Sequence, residues 1–131
     1  MSLFSQQIRV YYENTDAAGV VYHSDYLNFM ERCRTDWLRS LNIAQQQLAE
    51  EHGIRFVVTH MEIAFRQPAK LDDLLTVAVS KIRRKPASLI FEQTIHRQET
   101  LLIAATAKVA ALDENMKPTR LPAWFLERLS D

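Results

Sequence analysis

Asp16, Gly19 and His23 stand close together in the run Thr15 to Ser24, and each is of a type that can serve acyl transfer. A carboxylate can attack a carbonyl carbon directly or take a proton from water. The chain has two glycines, and one of them, Gly19, falls in this short segment, where the backbone can turn sharply or come close to a ligand. A helical pattern begins just after His23, and the first amides of a helix are unpaired and receptive to negative charge. Fixed N–H donors aimed at a developing oxyanion lower its barrier by about 3–4 kcal/mol each. Thioesters suit such a site because a thiolate departs without a strong general acid. Taken alone, Asp16 is a common turn former, and His23 a common cap or hydrogen-bonded structural group.

The surrounding elements must hold these groups in place. Ile8, Val10 and Tyr12 alternate, predicting a first strand over Gln7 to Tyr12. From Asp25 the period becomes helical, with Tyr26, Phe29, Met30, Cys33, Trp37 and Leu41 on one face. Ser24 or Asp25 is expected to cap this helix, Arg32 to pair with Asp36, and Asn42 to end it. A second helix is expected over Ala44 to His52, stopped by Gly53. Alternation then returns around Val57 to Phe65, Leu75 to Val79, Leu89 to Ile95 and Ile103 to Val109, giving four strands separated by polar breaks. Pro122 opens a closing helix. Four strands joined by short turns predict an antiparallel meander with the long helix on one face, an α+β fold. No repeat or linker divides the chain, so residues 1–131 are expected to form one domain.

Sixteen basic residues balance sixteen acidic ones, which argues against binding nucleic acid by bulk charge. A single cysteine, Cys33, gives no internal disulfide. The N-terminus lacks the pattern of a signal peptide, and the apolar run Leu101 to Leu112 is too short to span a bilayer. A cytoplasmic protein without stable membrane insertion is expected.

The segment YYENTDAAGVVYHSDYLNFMERCRTDWLR resembles the signature of the 4-hydroxybenzoyl-CoA thioesterase family, and within it the branch encoded beside the Tol–Pal envelope system of bacteria. The likeness continues through FVVTHMEIAFRQPAKLDDLL, RRKPASLIFEQ and KPTRLP. It implies a hot-dog fold, a five-stranded antiparallel sheet wrapped around a long central helix. It also implies hydrolysis of an acyl-CoA or acyl-carrier-protein thioester to free acid and thiol. By the same resemblance Asp16 is the nucleophile or general base, and the backbone amide at about His23 polarises the thioester carbonyl. Relatives often carry Gly at position 18, Ala at 33 and Glu at 36, where this chain has Ala18, Cys33 and Asp36. None of these differences removes a catalytic group. The family further implies homo-oligomers, dimers or tetramers, with each site at a junction between subunits.

Tyr22 and Tyr26 are candidates to line an acyl pocket, although a place in the core on a buried helix face is the readier account of them. Arg83, Arg84 and Lys85 are the densest basic run, and with Ser88 and Lys117 they are candidates to hold the phosphates of coenzyme A. The alternative for the basic run is an ordinary hairpin tip. Glu31 suits a solvated helix face. His52, His60 and His96 lack ligand spacing, so no metal site is expected, nor any cofactor besides the CoA of the substrate. Walker and dinucleotide motifs do not occur. Two rivals remain. A hot-dog hydratase or dehydratase would place its carboxylate on the helix rather than before it, and a weakly catalytic adaptor would bind acyl thioesters or acyl carrier protein.

Overall fold

The computed structural model describes residues 2–129. The elements are strand β1 (Phe4–Arg9), a short 3-10 turn (Tyr12–Asn14), helices α1 (Asp25–Ser40) and α2 (Gln45–His52), strands β2 (Arg55–Phe65), β3 (Leu74–Arg84), β4 (Ser88–Arg97) and β5 (Thr100–Leu112), and helix α3 (Ala123–Arg128). All five strands form one antiparallel sheet, in the order β1-β3-β4-β5-β2. The long helix packs on it through Tyr26, Phe29, Met30, Cys33, Trp37 and Leu38. Removing side chains of this size from water stabilises the fold by about 1.5–3 kcal/mol each.

The order of strands departs from the expected meander. Only β3, β4 and β5 follow one another as neighbours, while β2 pairs with β5 at the far edge. Alternating burial marks a strand but says nothing of its partner. The connection 66–73 has to cross three strand spacings of about 4.8 Å each, and eight extended residues reach about 26 Å. The first strand is also shifted. Its pairing stops at Arg9 opposite Leu74, Val10 is fully buried, and Tyr11 and Tyr12 project into solvent.

Around α1 the local expectations divide. Asn42 has φ 62° and Gly53 φ 65°, so both end their helices in the left-handed conformation, as their types suggest. Ser24 is the N-cap by position, but no side chain caps this end. Asp25 instead accepts a hydrogen bond from the Asn14 amide at 2.9 Å, tying the helix to the turn before it. Asp36 pairs with Arg39 at 3.0 Å rather than with Arg32. Leu41 is only partly buried, and the buried face takes in Arg34 instead. Pro122 sits at the N-cap of α3, one residue earlier than expected.

Cys33 is fully buried, its Sγ directed at the Val77 carbonyl at 3.5 Å. Burial and the nearby charge of Asp36 push its thiol up to about 12, partly offset by Arg34. It is therefore a packing residue that holds its proton at ordinary pH. Among the described residues, no helix is long and apolar enough to cross a membrane.

Candidate active site

The chain leaves β1 at Arg9, makes the 3-10 turn, and then forms a small hairpin. Thr15 bridges Val21, the Asp16 amide donates to the Val20 carbonyl at 2.9 Å, and the Gly19 amide donates to the Asp16 carbonyl at 3.0 Å. Gly19 closes this turn with φ 80°, a conformation that a side chain would strain. A Cβ built there meets no atom within 4 Å, and the residue does not border the cleft described next. Its contribution is the turn itself, which aims Asp16.

Asp16 and His23 border the same cleft, of about 270 Å³, together with Tyr26, Phe65, Gln67 and Pro68. One carboxylate oxygen of Asp16 accepts the Ala18 amide at 2.8 Å. The other accepts no hydrogen bond among the described residues, which leaves it able to engage a water or a carbonyl carbon. The backbone amide of His23, one residue before the N-cap of α1, likewise donates to no acceptor among the described residues. Asp16 and His23 are both exposed residues. The site thus joins an open carboxylate oxygen with an open amide at a helix start.

Tyr22 does not border this cleft. It is 46% exposed and lies against the His23 ring, with centroids 4.5 Å apart. Tyr26 is both a core residue and a cleft residue. Its hydroxyl oxygen accepts the Ala69 amide at 3.0 Å, and burial raises its pKa, partly offset by that amide and by Arg97. The phenol therefore stays protonated at neutral pH.

Arg83, Arg84, Lys85 and Ser88 lie at the β3–β4 hairpin, closed by the Lys85 amide on the Ser88 carbonyl at 2.9 Å. Asp16 lies at the other end of β3, beyond Leu74. Eleven strand residues at about 3.3 Å each separate the two by about 36 Å, so one chain does not bring them together. Arg84 also donates to the Leu126 carbonyl at 3.2 Å, which anchors α3. The cleft wall built from Phe65 to Pro68 escaped the sequence reading, which gave this stretch only as a strand end followed by a polar break. A proline and paired aspartates give no sign that the segment crosses the end of a sheet.

The chain was compared with known proteins. Residues 18–104 match the family model of the thioesterase superfamily. An acyl-CoA thioesterase YbgC from Haemophilus influenzae is 50% identical over 120 residues, covering 91% of this chain and 88% of the relative. A probable thioesterase from Bartonella henselae superposes with a TM-score of 0.85 at 42% identity, over 91% of this chain and 98% of that one. A 4-hydroxybenzoyl-CoA thioesterase solved with 4-hydroxybenzoyl-CoA superposes with a TM-score of 0.90 over 97% and 98% of the two chains. At 18% identity this last likeness shows the shared hot-dog fold alone.

Proposed function

Since the chain belongs to the thioesterase superfamily, we propose that it hydrolyses acyl-CoA thioesters, with Asp16 as nucleophile or general base. The observation that carries this reading is that Asp16 and His23 border one cleft, while one Asp16 carboxylate oxygen and the His23 backbone amide, at a helix start, have no hydrogen-bond partner among the described residues. The substrate carbonyl oxygen accepts the His23 amide, which draws electrons from the carbonyl carbon. Asp16 removes a proton from the water that attacks that carbon, giving the free acid directly, or attacks the carbon itself to form a mixed anhydride that water then hydrolyses to the acid and free Asp16. In either case CoA leaves as a thiolate. The His23 side chain borders the cleft and helps position the carbonyl or the water.

The test is a panel of acyl-CoA and β-hydroxyacyl-CoA compounds, following thiol release and enoyl formation in parallel. Free CoA from a saturated acyl-CoA supports the reading. Enoyl product without thiol would make the protein a hydratase or dehydratase. Tight thioester binding without turnover would make it an adaptor. The buried Cys33 thiol leaves a thiol-specific dye free to report released CoA.

We further infer a homo-oligomer in the cytoplasm. Strand β2 is an edge of eleven residues, with Val58 and Phe65 half exposed, and such an edge invites pairing with a second copy. Phe65 also walls the cleft, so a partner on β2 would border the site. Assembly is also what would let the basic hairpin tip of one copy serve the cleft of another and hold CoA phosphates. Arg84→Ala combined with Lys85→Ala is then expected to raise KM for acyl-CoA by about tenfold, from the loss of charge-assisted contacts, with kcat nearly unchanged. An unchanged KM in steady-state assays would put phosphate anchoring elsewhere.

A further inference from the structure

Among the described residues, Asp16 makes hydrogen bonds only within its own hairpin, and that hairpin is fixed relative to α1 by contacts outside it. The connection 66–73 does this. The Val21 amide donates to the Ala69 carbonyl at 2.9 Å, and Val20 bridges Lys70. On the approach side, the Val10 amide donates to the Asp73 carbonyl at 2.9 Å, and the Asp72 amide to the Val10 carbonyl at 3.0 Å. The segment that carries Asp16 is therefore tied at both ends to one connection. The start of α1 is tied to it as well, since the Tyr26 hydroxyl accepts the Ala69 amide. The carboxylate of Asp16 and the amide of His23 are thus set relative to each other by residues 69–73 together with Asn14, whose carbonyl accepts the Tyr22 amide and whose side chain donates to the Asp25 carboxylate.

The connection in turn is held where it passes the end of β4. Arg97 donates to the Pro68 carbonyl at 3.2 Å and to the Asp73 carboxylate at 2.9 Å. The same carboxylate oxygen accepts the Lys70 amide at 2.8 Å and so closes the turn back on itself. Both side chains of this ion pair are more than two-thirds shielded from solvent, which sets it apart from a surface pair. A guanidinium is suited to hold a carbonyl and a carboxylate at once, because its donors are fixed in one plane. Arg97 does not itself border the cleft.

We propose that Arg97 is a positioning residue for hydrolysis at Asp16, acting through the connection 66–73. The proposal rests on the role given to Asp16 above. Misplacing a reacting group by about an ångström costs up to about a hundredfold in rate. Arg97→Met is expected to lower kcat by about 10- to 100-fold with KM within about threefold of the parent. Arg97→Lys keeps one charge-assisted contact and is expected to regain most of that loss.

Phe125→Leu, on the buried face of α3 at the opposite end of the sheet, is the control for lost stability. It is expected to lower Tm without changing kcat. Amide exchange supplies a readout that needs no turnover, with Val10 and Val21, whose amides donate to the connection, expected to exchange at least about tenfold faster in Arg97→Met while the middle of α1 is unchanged. The proposal is overturned if kcat of Arg97→Met falls no further than that of Phe125→Leu. It is also overturned if exchange at Val10 and Val21 does not move. An inactive parent protein would instead remove the role of Asp16, and the exchange data would still decide whether Arg97 holds the loop.

Discussion

Asp16→Asn is expected to slow turnover of acyl-CoA by at least about a thousandfold while leaving the fold and thioester binding intact. The amide is nearly the same size as the carboxylate, and its oxygen can still accept the Ala18 amide, so the hairpin keeps its shape. It loses the negative charge, and with it both the nucleophile and the base. Binding depends mostly on groups that the change does not touch. The check is turnover by thiol release, together with calorimetric binding of the substrate and circular dichroism of the variant. A folded Asn variant with parental turnover would take Asp16 out of the mechanism, whether as nucleophile or as base.

The largest expected loss of stability comes from Gln93, not from the site. Arg34 lies on the buried face of α1, only 9% exposed, and donates to Gln93 Oε1 at 2.9 Å. Gln93, 2% exposed, donates in turn to the Met30 carbonyl at 3.0 Å. The guanidinium also lies 5.7 Å from the centre of the Phe91 ring. Burial lowers the pKa of Arg34, partly offset by Glu31, but the group stays charged and needs its partner. Gln93→Leu strands that charge and is expected to cost about 3 kcal/mol in urea unfolding. Adding Arg34→Met removes the charge as well, and the double variant is expected to recover more than half of the loss. If the two losses simply add, Arg34 and Gln93 are not a coupled pair.

How far these features were legible depends on the distance over which each is decided. The helix from Asp25, the stops at Asn42 and Gly53 and the extents of β2 and β4 follow from local periodicity and local backbone preference, and they appear in the sequence within a residue or two. By contrast, β3 continues past Val79 to Arg84, and β5 spans Thr100–Leu112, beyond both ends of its alternating run. The pairing of β2 with β5 is decided by long-range packing and leaves no local mark. Arg34 shows the same limit, because a charged residue on a helix reads as solvent-facing unless its partner, 59 positions away, is known. In the site, Asp16, Gly19 and His23 were visible because they share one short segment. Arg97 and the cleft wall at Phe65 to Pro68 were not, because only the crossing of the connection over the sheet end brings them near.

That crossing also bears on how the molecule is made. Arg9 reaches the Asp72 carbonyl across 63 positions of sequence, and β1 has no partner until β3 exists. A chain emerging from the ribosome delivers Asp16 early and the residues that fasten it much later. Long-range closure of this kind is slow, on the millisecond-to-second scale for sheet-rich chains. During synthesis the N-terminal strand waits as an unpaired ribbon, and catalytic competence arrives among the last events of folding.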